Sequence, residues 1–349
     1  MLDTNGFRHA MDLQLLSARA VVRIRAVSMA LMMLIGSMLP SPGYSQSAPD
    51  TFPVKPVTFV VPYAAGGPND FEARLYSTKL NAALGQPFLL DFKPGAGSAI
   101  GNTYVAKAKA DGYTLLLVAG GFTIMPAFSK NLPYDSVKDF APIALMSKRS
   151  SVLLSRPSFS AKNFTEYIEY AKAHSGKVNL GTSGFGTTSH MAGAWIHSAT
   201  STKVTFVHYK GLGPVLLELI GGQLDVAPSG LLSAMPLIRS GKVRPLAILE
   251  DRRSKLLPDI ATVQEQGIPG FNSVLWLGFS APAETPLGIV NKLSEELGKV
   301  ARLPDVMATL EAEGSALVGS TPAQFRQLIV TEIGRWRQVV QDAGIKIED

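Results

Sequence analysis

A chain of 349 residues with 46% hydrophobic residues, a formal charge of +6 and no cysteine has room for two cores and must hold them without disulfides. The missing thiols exclude thiolate catalysis and cysteine-ligated metal. The basic residues are scattered, paired only at Lys148-Arg149 and Arg252-Arg253. A nucleic-acid face would need a stripe of them, so no nucleic-acid partner is expected.

At the N-terminus Arg19, Arg23 and Arg25 precede an apolar stretch from Ala26 to Leu39, then Pro40, Pro42, Gly43 and small residues from Ser45 to Ala48. This is the layout of a secretory leader over residues 1–48, cut after Ser45 or Ser47. The apolar stretch falls short of the roughly 20 residues of a membrane span. Its removal lowers the formal charge by two, from +6 to +4, because Arg8, Arg19, Arg23 and Arg25 leave with Asp3 and Asp12.

From Pro56 to about Leu145 the pattern predicts a strand over Val57 to Val61, a helix over Asn69 to Leu84 stopped by Gly85, and a strand over Phe88 to Phe92. A short helix over Gly101 to Ala110 and a strand over Tyr113 to Val118 follow. Such alternation builds parallel βαβ units. Ala73, Tyr76, Leu80, Ala83 and Leu84 recur at three-to-four-residue spacing, so one face of the first helix packs on the sheet and its start is held rigidly.

The rhythm restarts near Ser150: a strand over Ser151 to Ser155, a helix over Asn163 to Ala173, and a strand over Val178 to Leu180. That strand runs through Gly181-Thr-Ser-Gly-Phe-Gly186 into another helix. Strands at Val204 to Val207, Leu224 to Ala227 and Val243 to Leu249 and a helix from Pro214 to Ile220 complete this unit. A strand over Val274 to Phe279 then leads to helix starts at Thr285-Pro286, Pro304-Asp305 and Thr321-Pro322, which return to the first unit. The expected architecture is α/β with two lobes, 51–149 plus 276–349 and 150–275, whose crossing strands form a hinge beside an interlobe cleft.

Two motifs point to binding. In Val57-Thr-Phe-Val-Val-Pro-Tyr-Ala-Ala-Gly-Gly-Pro-Asn-Asp70 a strand breaks at two glycines and opens into a helix, aiming unpaired N–H groups at an anion such as a carboxylate. A plain strand-to-helix turn, capped by Asn69 or Asp70, reads equally well. Asp70 would repel a carboxylate unless it caps backbone amides or meets a ligand amine or hydroxyl. Ser183-Gly-Phe-Gly-Thr-Thr-Ser-His190 repeats the design with hydroxyls, one of Thr187 and Thr188 serving as the helix cap. Neither loop holds Lys or Arg, so recognition through backbone, hydroxyl and water is expected.

Other signals are weak. His190 and His197 lie seven apart on one helix, about 10 Å, too far to share a metal, and His208 has no carboxylate at ligand spacing. These histidines read as structural, and no metal or cofactor is expected. Gly181-Thr-Ser-Gly-Phe departs from the G-x-S-x-G elbow. Gly95-Ala-Gly-Ser-Ala-Ile-Gly101 has one residue too many for a dinucleotide loop and reads as a turn lining the cleft, with Ser98 capping the next helix.

The first loop, Lys93-Pro-Gly-Ala-Gly97 with Ile100-Gly101, Asp111-Gly-Tyr-Thr-Leu115 and Leu132-Pro-Tyr-Asp135 together resemble the Bug family, the extracytoplasmic solute receptors of tripartite tricarboxylate transporters. Further matches run in order at Ser183 to His190, Tyr209-Lys-Gly211, Gly221-Gly-Gln-Leu-Asp225, Ile238 to Ala247 and Trp276-Leu-Gly-Phe-Ser-Ala-Pro282. The resemblance implies a two-lobed periplasmic binding protein fold of type II kind, a periplasmic monomer without enzymatic activity, and a small organic carboxylate passed to a membrane permease. Carried onto this chain, it implies ligand contacts from Tyr63, Gly66, Gly67 and Asp70, and across the cleft from Ser183, Thr187 and Thr188, with Thr123 and Tyr209 as secondary candidates. Two departures matter: Pro228-Ser-Gly230 leaves only the Ser229 hydroxyl where relatives often carry Asp or Asn, and Ala194 stands where relatives commonly carry Glu. Both favour plain carboxylates over amino acids. The competing expectations are a secreted hydrolase using Ser183 or Ser189 with His190, and an orphan sensor that reports a solute to a membrane kinase.

Overall fold

The computed structural model describes residues 51–129, 131–312 and 314–345, and the leader expected over 1–48 lies outside the described residues. Its first stretch runs β1 (Val57–Val61), α1 (Pro68–Leu84), β2 (Phe88–Phe92), α2 (Ala99–Ala106), β3 (Thr114–Ala119), α3 (Gly121–Phe128) and β4 (Phe140–Arg149). The middle stretch runs β5 (Ser151–Ser155), α4 (Phe164–Ala173), β6 (Asn179–Thr182), α5 (Thr188–Ala199), β7 (Thr205–His208), α6 (Leu212–Ile220), β8 (Val226–Gly230), α7 (Leu231–Arg239) and β9 (Arg244–Ile248). The chain closes with β10 (Leu275–Pro282), α8 (Leu287–Ala301), α9 (Pro304–Ala312), β11 (Ser315–Leu317) and α10 (Pro322–Asp342).

These strands form two sheets, ordered β11-β4-β10-β3-β1-β2 and β7-β6-β8-β5-β9. In each sheet the βα units pair in parallel, β1 with β2 and β3, and β6 with β7 and β8. The strands at the crossings pair antiparallel: β10 with β3 and β4, β5 with β8 and β9. Helices cover both faces of the first sheet, and the strands show it residue by residue. Phe59, Leu115 and Leu117 enter one core with Tyr76, Leu80 and Phe279, while Val60, Leu116 and Val118 enter the other with Phe122 and Phe325. Such two-sided burial is why these strands read as unbroken apolar runs. Along β5, Leu153 and its neighbours Val152 and Leu154 likewise part to opposite faces.

The chain passes between the sheets at 149–151 and again at 248–275. Ser151 Oγ donates to Ser273 O at 2.8 Å and Ser273 N donates to Leu249 O at 2.7 Å, so the two crossings are stitched together. A fifth apolar cluster joins Ile124, Ala127 and Phe128 of α3, Met191 and Ala194 of α5, and Trp336, Val339 and Val340 of α10. It lies along one edge between the halves. No helix among the described residues is long and apolar enough to cross a membrane.

Candidate functional site

A cavity of about 810 Å³ opens between the two sheets. The first half lines it with Tyr63, Gly67 and Asn69 around the start of α1, with Gly95, Gly97 and Ser98 before α2, and with Gly120 and Gly121 at the start of α3. The second half contributes Ser183 through Ser189 before and into α5, Lys210 to Leu212 before α6, and Pro228 to Gly230 at the end of β8. All lie at the carboxyl ends of parallel strands, where open α/β sheets take their ligands. A second concavity of about 830 Å³, between residues 132–139 and α10, has neither glycine turn on its wall.

Gly67 is the N-cap of α1 with extended backbone, and no side chain caps it, so the first-turn N–H groups stay free of side-chain oxygen. Pro68 follows at the first helical position, where its missing donor costs nothing. Asp70, 6% exposed, folds back instead: Oδ2 accepts from Gly66 N at 2.8 Å and Oδ1 faces Arg74 Nε at 2.7 Å. The carboxylate therefore holds the glycine turn shut. Neither Asn69 nor Asp70 caps the helix, contrary to the plain-turn expectation.

Before α2, Ala96, Gly97 and Ser98 adopt φ of 46°, 60° and 85°, a left-handed run that two non-glycine residues enter at a cost. A Cβ at Gly97 would fall 2.5 Å from Met125 Sδ, and its φ of 60° favours glycine as well. Ser98 stands at the helix N-cap without bonding a helix amide; its Oγ accepts from Asn102 Nδ2 at 3.0 Å, which corrects the capping role expected for it. Tyr63 Oη lies buried nearby, beside Ser98 and Gly121, and burial raises its pKa above the ordinary tyrosine value.

The second turn is built on hydroxyls. Thr187 is the N-cap of α5, accepting from His190 N and donating to Gly184 O at 2.7 Å, while Ser189 Oγ accepts from Ser183 N at 2.9 Å. Ser183 and Ser189 hydroxyls meet at 2.9 Å and Thr187 and Ser189 at 3.0 Å. Thr188 is left facing the opposite half, where a Cβ on Gly120 would come within 2.4 Å of its Oγ1. His190 Nδ1 accepts from Gly186 N at 3.2 Å, and burial, with His208 beside it, lowers its pKa to about 4. The hydrolase alternative is not assembled: the serine hydroxyls bond one another, and the imidazole nitrogen that could serve them is taken by a backbone amide. His197 bridges Tyr167 Oη at 2.7 Å and Thr202 Oγ1 at 2.6 Å, the structural role expected for it. Among the described residues no group of three or more His, Cys, Asp or Glu could hold a metal.

Comparison with known proteins identifies the family. Residues 73–345 match the family model described as the tripartite tricarboxylate transporter family receptor, TctC. The chain belongs to this family. Protein BugT of Bordetella pertussis is 31% identical over 91% of this chain and 98% of its own. Among solved structures, MatC from Rhodopseudomonas palustris with bound malate aligns with a TM-score of 0.75 at 35% identity, over 83% of this chain and 100% of that one. The R. palustris protein Rpa4515 with adipate aligns with a TM-score of 0.77 at 30% identity, over 84% of this chain and 99% of that one. The expected family and the two-lobed periplasmic binding protein fold both hold, and TctC proteins are receptors rather than enzymes.

Within this TctC chain the residues singled out by sequence fall into two groups. Tyr63, Gly67, Ser183, Thr187, Thr188 and Ser229 lie on the cavity wall, with Ser229 Oγ donating to Gly230 O at 3.0 Å. Gly66, Asp70, Thr123 and Tyr209 are not on it: Thr123 is fully buried and donates to Gly120 O at 3.1 Å, and Tyr209 N donates to Thr182 O at 3.0 Å. The absence of basic residues holds for the two loops but not for the wall, which also carries Arg149 and Lys210. Sequence reasoning missed Asn69 as a wall residue, Arg149, and the crossing residues Ser151 and Ser273. Asn69 stands inside the first loop motif itself, whereas the only sequence signal of Arg149, Ser151 and Ser273 is position, at or beside chain crossings.

Proposed function

We propose that this TctC-family protein is a periplasmic receptor that captures a small organic carboxylate between its lobes, 51–149 plus 276–349 and 150–275. It passes that solute to a membrane permease after its leader, residues 1–48, is removed. One observation carries the reading: two glycine turns, each opening a helix, face each other across a single cavity. Each helix start offers backbone N–H groups and a partial positive charge of the dipole, worth about 0.3–1 kcal/mol toward an anion. The malate and adipate held by family members support the carboxylate class.

In this reading Gly67, the first-turn amides of α1 and Tyr63 grip one side of the solute. The hydroxyls of Ser183, Thr187, Thr188 and Ser229 grip the other, and Gly66 and Asp70 hold the first turn in shape. Closure follows because the solute touches both halves only in the shut form, which it therefore binds more tightly than the open one. Titration calorimetry of the mature protein with malate, adipate and benzoate tests this. Saturable binding of at least one acid, with a raised thermal midpoint, is the expected result. Binding of none of them contradicts it.

A further inference from the structure

The cavity wall holds a cation that neither glycine turn supplies. Arg149 ends β4, where the chain leaves the first sheet, and its side chain is only 12% exposed. Nη2 donates to Asn69 Oδ1 at 3.1 Å, which seats the guanidinium beside the first turn of α1. Nε lies 3.3 Å from Glu72 Oε1 but donates no hydrogen bond. The Glu72 carboxylate, 1% exposed, is already served by Ser147 Oγ at 2.6 Å and Ser315 Oγ at 2.9 Å. The pairing therefore leaves most of the five guanidinium N–H donors uncommitted; among the described residues Nη1 has no partner.

One more polar atom of the same wall is uncommitted. Ser273 Oγ, on a residue 1% exposed, is buried without a hydrogen-bond partner among the described residues. Native interiors rarely leave such a group unpaired. The wall is also apolar in part, with Leu249, Leu275 and Trp276. An ion contact made against such walls is strengthened by exclusion of water.

We propose that Arg149 binds a carboxylate of the solute directly, so that this cleft grips its anion with a charge-assisted fork and takes acids carried on an apolar body. Asn69 and Glu72 are positioning residues: the amide sets the plane of the guanidinium, and the carboxylate anchors its stem side. The proposal rests on the receptor reading above and adds to it the group that distinguishes an acid from its neutral analogue. A guanidinium suits this role because its planar donors match the two oxygens of a carboxylate.

The test is titration calorimetry with malate, adipate and benzoate, the last two set beside adipamide and benzamide. Wild type binds an acid and discriminates against its amide. Arg149→Gln lowers the acid affinity by about tenfold to a hundredfold, the range of a charge-assisted hydrogen bond, and leaves the amide unaffected. Arg149→Lys recovers part of the loss. Because Arg149→Gln strands the Glu72 charge and can impair folding, the neutral pair Glu72→Gln with Arg149→Gln is measured too and shows the same loss. Glu72→Gln alone keeps the guanidinium and loses only its anchor, so it lowers acid affinity less than Arg149→Gln does and leaves the preference for acid over amide in place, a split that a purely structural ion pair would not give. Acid affinity in the neutral pair within about threefold of wild type overturns the proposal and leaves the receptor reading standing. A wild type that binds none of the acids overturns both.

Discussion

Asp70 shows how one side chain can serve the turn beside it. In sequence it stands beside a glycine turn with an unassigned charge, and in the fold one oxygen accepts from Gly66 N of that turn while the other pairs with Arg74 one turn along α1. Its partners lie four residues away on either side, so the local geometry was within reach of sequence. Arg149 was not legible: its partners Asn69 and Glu72 are about 80 positions distant, and nothing local says that a strand-end arginine turns toward them. His197 is held between two hydroxyls, those of Tyr167 and Thr202. His197 carries a pH consequence. Burial lowers its pKa from 6.5 to about 4, so the native state stays neutral where the unfolded chain takes up a proton. Its contribution is fully present above pH 6.5 and is lost as pH falls toward 4, on the order of 3 kcal/mol. His190, also lowered to about 4, adds a like decline over the same range, so urea unfolding at stepped pH should show both, and His197→Gln, which can still bond Tyr167 and Thr202, should remove about half of it.

At the scale of elements, the strands and helices with clean periodicity were legible and α3 was not. Gly120-Gly121 at its start and Pro126 inside it argue against a helix on propensity. The fold accepts Pro126 because the carbonyl it leaves unpaired, Phe122 O, accepts from Ser136 Oγ at 2.8 Å. That donor lies beyond the helix, and a window along the chain does not see it. Ser136→Ala should strand a buried carbonyl and lower stability by about 1–3 kcal/mol, measured by denaturant unfolding. A loss below the error of the measurement would show that Phe122 O finds another partner. The helix starts that carry the site were legible because glycine, proline and threonine mark them directly. Thr321 makes a full capping box with Gln324 at the start of α10, as Thr321-Pro322 suggested.

Across the whole molecule, sequence revealed a chain that leaves one α/β half, builds another and returns, because the βα rhythm visibly restarts. What it concealed was how tightly the halves meet. Gly120 of the first half and Thr188 of the second approach so closely that a single methyl on Gly120 would strike the Thr188 hydroxyl. Gly120→Ala should therefore hold the halves apart, weaken solute binding and enlarge the radius of gyration seen by solution scattering in the presence of solute. Adding Thr188→Ala removes the hydroxyl that clashes, so the double variant should close more readily than Gly120→Ala alone, a coupling that only neighbours across the cleft produce. Independent, additive effects would mean that the two residues do not meet in the closed form.

A crystal structure of the mature protein with whichever of malate, adipate or benzoate binds tightest tests where the solute sits. The carboxylate is expected between the Tyr63–Gly67 turn and the Ser183–Thr188 turn, touching the first-turn amides of α1. Acid found at any other surface, with that cavity holding none, would contradict this placement.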